Sequence, residues 1–503
     1  MSDVFISSGR PLLALCFPLA CAFMIYIFRH RPNVREGITL AAAAGQFAVV
    51  FSMAPLILDG RMVVCHILTI TSGLDILFRV DAFGLIFAIT SSFLWILVSV
   101  YSIGYMRALK EHAQTRYYVM FALAIFSAVS IAFSANLVTF YIFYEALTLS
   151  TYWLVAHHED EEAFAATRKY LTYLLASGWF LFAAVAMTYA IAGTTDFNSG
   201  GILNAGMASN GTLVFLFILF ALGLLKAAWM PFHSWLPAAM VAPTPVSSLL
   251  HAVAVVKAGV FGFVRVVCFV FGVDLMAALG LGLILGAVAS FTMIVGSFFA
   301  IGEDNLKKRL AYSTISQLSY ILFGAALLSP YGVKGAMLHI PFHGFMKITL
   351  FLCAGAIMVI SGKKYISQLS GIGRQMPITM TAFCIGAVGM CGIPPAAGFI
   401  SKWYLCLGSV QSGHLVFLVV ILISSLLDVI YFFPIVKTAF FENPAVVKGN
   451  PAAPAIWPEA SQRQYLFMVV PLTVTAVFSI IFCLFPGTFY ILDLAEMAIN
   501  NLY

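Results

Sequence analysis

Apolar positions along this chain fall in long unbroken runs, and each run can cross a bilayer, which takes about 17–25 residues. The pattern predicts fourteen helices, near 11–28, 37–57, 82–103, 117–134, 137–156, 168–192, 211–230, 244–270, 275–300, 309–329, 335–360, 379–406, 413–436 and 465–489. Between the second and third, "RMVVCHILTITSGLDILFRVD" alternates and is rich in β-branched residues, which predicts a short hairpin. The polar stretch around 438–464, rich in Pro and Ala, predicts a surface loop, and "ILDLAEMAINNLY" at the end predicts a short interfacial helix. The small residues of "GLGLILG" at 280–286 lie inside an apolar run and suit helix packing better than a phosphate loop.

Composition turns these helices into membrane spans. Of 503 residues, 62% are hydrophobic and only 9% charged, against roughly 25% charged in a soluble domain. An all-α integral membrane protein with no soluble catalytic domain follows. The first run has one arginine before it and "RHRPNVR" behind it, the reverse of a cleavable signal, so a retained helix is expected.

Charge then sets an expected orientation. If the N-terminus is outside, the inside connections hold Arg29, Arg31 and Arg35; Arg107, Lys110 and Arg116; Arg168 and Lys169; Lys307, Lys308 and Arg309; Lys363, Lys364 and Arg374; and Lys437, Lys448 and Arg463. Outside lie only Arg10, Arg61, Arg79 and Lys334. That is the positive-inside bias, with both termini outside. The net charge of +6 follows from it, and no nucleic-acid partner is expected.

The basic residues left over fall inside spans: Lys226, Lys257, Arg265, Lys347 and Lys402, with Glu145 and Asp428 as buried acids. Each such charge costs at least about 2.5–3.5 kcal/mol to insert, so each is a functional candidate. Arg265, near a helix end, is expected to snorkel to the interface. Lys226 is followed by Pro231, His233 and Pro237, and Lys402 is preceded by Pro394 and Pro395. Proline breaks a helix, and broken backbone is tolerated in a membrane only where protein or a water-filled cavity covers it. Two lysines beside broken helices in the two halves suggest a repeat-built transporter with its path near the midplane. His339, His343 and Lys347 recur every four residues along one helix face, a spacing that suits a proton relay, or imidazoles bonding neighbouring helices, and not the opposed ligands of a haem. Tyr141 and Tyr144, beside Glu145, are expected only to pack.

Nine cysteines are scattered without metal-ligand spacing, so neither a metal site nor a cofactor is expected. The acidic run "HHEDEEAF" at 157–164 is expected as a solvated inside loop, with docking of a partner as the other reading.

Four stretches carry a family likeness: "KAAWMPFHSWLPAAMVAPTPVSSLLHA", "EDNLKKRLAYSTISQLSYI", "HIPFHGFMKITLFL" and "PPAAGFISKW". In these the chain resembles, over about 80–440, the antiporter-like membrane subunits shared by respiratory complex I, Mrp-type cation/proton antiporters and membrane-bound hydrogenases. By its length and its end soon after the last span, it is most similar to the D-type Mrp subunit or its complex I relatives. The resemblance implies fourteen helices in two inverted five-helix repeats, with helices seven and twelve broken. The chain would divide into 1–115, three helices with an outside hairpin; 116–270, repeat one; 271–440, repeat two; and 441–503, an inside loop, the last helix and a tail.

The resemblance also implies roles. Glu145 matches the acid of helix five and Lys226 its lysine partner. His251 and Lys257 match relay positions of helix eight, His339, His343 and Lys347 the stripe of helix eleven, and Lys402 the lysine of helix twelve. Two departures stand out: Ala238 and Ala239 follow "HSWLP" where the family commonly has an acid, and Asp428 is an extra buried acid that would bind a cation, counter Lys402 or hydrogen bond.

A proton- or sodium/proton-translocating subunit of a multi-subunit complex in an energy-transducing, prokaryotic-type membrane is the expected function. Other membrane subunits would be its partners, and the chain would hold no active site of its own. A stand-alone carrier and a structural subunit of a quinone or hydrogenase complex are the alternatives.

Overall fold

A computed structural model describes residues 5–71, 74–443 and 463–503; of the surface loop expected at 438–464, residues 444–462 lie outside the described ones. Ten helices among the described residues are long and apolar enough to cross a membrane, and Asn210–Gly223 and Pro377–Cys391 are shorter apolar helices. The chain is a multi-pass integral membrane protein. Polar side chains start many of the helices: Asp81, Asn136, Asp160, Ser209, Asn305 and Ser329 each accept from a backbone N–H of the first turn.

Burial sorts the helices into a core and a shell. Thr244–Phe271 is buried along its whole apolar window, and Ala82–Ala108 and Pro330–Ser361 over most of theirs. Leu415–Phe441 instead turns Leu415, Val416, Val419, Leu422 and Leu426 outward, a lipid-type face, while Ser424 and Asp428 point in. The hairpin expected between the second and third spans is present: Met62–Thr71 pairs antiparallel with Leu74–Val80, and Phe5–Ser7 joins in parallel.

Four local expectations are corrected. The run at 275–300 is two helices, Val273–Ala278 and Leu281–Gly302, because Gly280 between them takes a left-handed φ of 67°. The helix that carries Asp428 continues to Phe441, into the expected loop, since "IVKTAFF" extends its apolar face. The tail helix Ile491–Asn500 buries Ile491, Leu494, Ala495, Ala498 and Ile499 against the Ala82–Ala108 and Pro330–Ser361 helices.

The fourth is Arg265, which does not snorkel. It is 1% exposed and gives a bidentate pair to Asp81, at 2.6 and 2.7 Å, among the rings of Phe83, Phe197, Phe261 and Phe269. Its planar fork finds a carboxylate inside the protein, so the head group has no need of the interface.

Candidate functional site

Both broken helices are present, and their freed backbone groups are satisfied by side chains. Asn210–Gly223 ends, and a single 3₁₀ turn, Leu225–Ala227, holds Lys226 before the chain turns at left-handed Ala228. The break thus begins ahead of Pro231. Ser177 Oγ donates to Gly223 O (2.6 Å) and accepts from Leu225 N (3.3 Å), Trp235 Nε1 donates to Leu225 O (3.2 Å), and Met230 N donates to Thr292 Oγ1 (3.0 Å). At the second break, Pro377–Cys391 ends before Pro394 and Pro395, and Gly398–Gln411 resumes the span. The Met390 carbonyl freed there accepts from Lys402 Nζ at 2.8 Å.

Lys226 is fully buried. Its Nζ donates to Tyr144 O at 2.7 Å, sits 3.2 Å from the Tyr144 ring centroid and lies 3.9 Å from Glu145 Oε1. Tyr144 therefore holds the lysine as well as packing, which corrects the expectation for it; an ammonium over a tyrosine face is attracted by the ring quadrupole. Glu145 Oε1 has no hydrogen-bond partner, so this ion pair is loose. Gly178 makes the room: a Cβ there would lie 2.7–2.9 Å from the Glu145 carboxylate.

Further into the protein, Lys257 Nζ lies 2.6 Å from His343 Nδ1, and the His343 ring stacks on His339 at 5.7 Å between centroids. His339 bonds Ser401 Oγ through Nδ1 (2.8 Å) and Gln317 Oε1 through Nε2 (3.1 Å). Gln317 Nε2 then donates to Asp428 Oδ2 at 2.8 Å, and Lys402 Nζ donates to that same oxygen at 2.7 Å. The other Asp428 oxygen accepts from the Tyr431 hydroxyl, whose oxygen lies 3.0 Å from Ser313 Oγ. Ser313 Oγ accepts from Lys347 Nζ at 2.9 Å.

Asp428 is thus the meeting point of two branches, one from His339 and one from Lys347, and the direct counter-charge of Lys402. Gly392, at φ 81°, makes room for the lysine stem: a Cβ there would lie 2.6 Å from Lys402 Cδ. His251 lies on a π-helical turn, Leu249–Val253, with Nδ1 2.9 Å from Thr314 Oγ1 and Nε2 without a partner. It stands beside the line, with no direct bond to Lys257 or His343 among the described residues.

The structure therefore forms two hydrogen-bonded groups, Lys257 with His343, and His339 through Gln317 with Asp428, Lys402 and Lys347. The stacked rings of His343 and His339 bring them into contact without a hydrogen bond, His343 Nε2 being unpartnered, and Glu145 pairs separately with Lys226. The sequence reading missed Gln317, Ser313, Ser401, Thr314 and Tyr431. The first two stand one turn apart in "STISQ", a polar face inside an apolar helix that was the available signal. Burial disfavours each ammonium, and a carboxylate favours it. Among the described residues Lys226 and Lys402 have such a partner, while Lys257 and Lys347 make no salt bridge. The arrangement gives two of the buried lysines a carboxylate counter-charge and sets the other two among imidazole and hydroxyl partners.

The chain matches the family described as "NADH:quinone oxidoreductase/Mrp antiporter, TM" over residues 134–428, a stretch that contains every candidate side chain from Glu145 to Asp428. It belongs to that family. It is 31% identical over 373 residues to a NADH-quinone oxidoreductase subunit N of Desulforudis audaxviator, covering 74% of both chains. It is 31% identical over 348 residues to the hydrogenase-4 component B of Escherichia coli, covering 66% of this chain and 50% of that one. Among solved structures, a chain of the Mrp complex from Dietzia sp. superposes with a TM-score of 0.84 over 98% of this chain and 97% of its own length. At 22% identity, that likeness shows the fold alone.

Proposed function

We propose that the chain is a proton- or sodium/proton-translocating subunit of a multi-subunit membrane complex of the Mrp, complex I or hydrogenase kind. Within that family we assign it to the D-type seat of an Mrp assembly or its complex I counterpart. The observation that carries the reading is the buried row of two hydrogen-bonded groups, Lys257 with His343, and His339 through Gln317 to Asp428 and Lys402, which meet where the His343 and His339 rings stack. A merely structural core has little reason to gather so many desolvated titratable groups in one connected row.

In this account ten of fourteen helices form two inverted five-helix repeats, 116–270 and 271–440, with both termini outside. Each half presents a lysine at a broken helix and an acid from a neighbouring helix: Lys226 with Glu145, and Lys402 with Asp428. Glu145 holds the proton on Lys226. When a neighbouring subunit draws Glu145 away, the ammonium loses its counter-charge and passes its proton to the amine of Lys257. We assign that step to bridging water across the contact between the two segments, where Gly259 of the Lys257 helix abuts the Lys226 backbone. The proton then crosses the imidazoles of His343 and His339 toward Asp428, and Lys347 serves the same acid through Ser313 and Tyr431.

The test is reconstitution of the intact complex in vesicles with a pH-sensitive dye, driven by its own energy source or by an imposed Na⁺ gradient. Proton movement that collapses when the chain carries Lys257→Ala supports the proposal. Undiminished movement in a fully assembled variant overturns it. Mass spectrometry of the detergent-extracted complex tests the membership: several membrane partners support it, and a chain that transports alone contradicts it.

A further inference from the structure

A second cluster of titratable side chains lies away from the buried line, at one end of the bundle. There the connection after the Ala82–Ala108 helix meets the one after Leu137–Val155. Glu111 Oε2 is faced by three imidazoles: His157 Nε2 at 3.6 Å, His158 Nδ1 at 3.8 Å and His112 Nδ1 at 4.0 Å. One ligand atom each from Glu111, His112 and His157 falls within 4.8 Å of the others.

These separations are too long for hydrogen bonds. They approach the edges, roughly 3.3 Å, of a tetrahedron of ligands around zinc at about 2.0–2.1 Å. His157 adds an independent observation: its side chain is 0% exposed, yet neither ring nitrogen has a hydrogen-bond partner. A buried imidazole with two orphaned nitrogens, aimed at a carboxylate, is a costly arrangement unless something occupies the space between.

The surroundings hold the cluster in place. Gln114 Nε2 donates to Glu111 O at 3.1 Å and its Oε1 accepts from Arg35 at 2.7 Å, pinning the first connection. Arg116 donates to His157 O at 3.2 Å and pairs with Glu159, pinning the second. A cavity of about 630 Å³, lined in part by Glu111 and His158, gives a route in from solvent.

We propose that Glu111, His112 and His157 bind one divalent transition-metal cation such as Zn²⁺. Imidazole and carboxylate ligands suit this class and disfavour the all-oxygen preference of Ca²⁺ or Mg²⁺. The cation would staple the two connections together. The proposal stands independently of ion translocation through the spans.

The test uses the untagged full-length protein in detergent, stripped with chelator and titrated with Co²⁺, then Zn²⁺. The expected result is one Co²⁺ per chain with visible ligand-field absorption of a tetrahedral site, lost as Zn²⁺ displaces it. His112→Gln, at a half-exposed position that does not threaten folding, should weaken binding roughly tenfold or more. Glu111→Gln should do the same, and His30→Gln, on another exposed turn, should change nothing. Absence of saturable Co²⁺ binding by the wild type overturns the proposal, as does binding that survives both ligand substitutions.

Discussion

Lys402 Nζ lies 2.7 Å from Asp428 Oδ2, with both side chains almost wholly withdrawn from the surface. This pair is far tighter than its counterpart, Lys226 with Glu145 at 3.9 Å. The contrast suggests a division of labour: a loose pair that a neighbour can perturb, and a firm one that anchors the far end.

The first prediction follows from that firmness. Asp428→Asn leaves the Lys402 ammonium buried without its counter-charge, which should cost about 3–5 kcal/mol. Thermal unfolding of the purified protein should show a clear loss of stability. Adding Lys402→Met to the same chain should restore most of it, while transport stays absent in both.

Gln317 bridges His339 to Asp428 and carries no charge, so it separates connectivity from electrostatics. Gln317→Leu should leave assembly intact and slow proton movement roughly tenfold or more, a barrier rise of about 1.4 kcal/mol. Transport in vesicles reads this directly. An unchanged rate would shift the path to the Lys347, Ser313 and Tyr431 branch.

Gly178 lacks a side chain where the Glu145 carboxylate sits. Gly178→Ala places a methyl within 2.7–2.9 Å of that carboxylate and must displace it. Coupled transport should fall while expression and assembly with the partner chains hold. The same activity as wild type would show that the Glu145 position is not critical.

Arg265 offers a control with the opposite signature. Arg265→Lys loses the fork to Asp81 and the packing among four phenylalanine rings, at a cost of about 1–3 kcal/mol. The melting temperature should drop, with the transport rate of the folded protein preserved.

Much of this was legible in the sequence because a charge in an apolar run is conspicuous. Glu145, Lys226, Lys257, Lys347, Lys402 and Asp428 stand out by insertion cost alone, and prolines mark both breaks. Neutral partners do not stand out. Ser92 and Ser102 also lie in a span, yet each bonds the carbonyl one turn back, so a buried serine such as Ser313 gives no sign of its role taken singly, and only its spacing to Gln317 marks it. Order along the chain also differs from order in space: His339 reaches Asp428 through Gln317 rather than through its helix neighbour Lys347. Arg265 misled for a related reason, since its partner Asp81 is remote in sequence and was assigned to a connection.

The most direct measurement compares Lys226→Ala and Lys226→Arg with wild type in the reconstituted complex, with the full set of partner chains checked for each. Proton movement should vanish in Lys226→Ala. It should stay absent in Lys226→Arg, because a guanidinium keeps the charge but does not release its proton. Wild-type proton movement by a fully assembled Lys226→Ala complex would contradict the account at its centre.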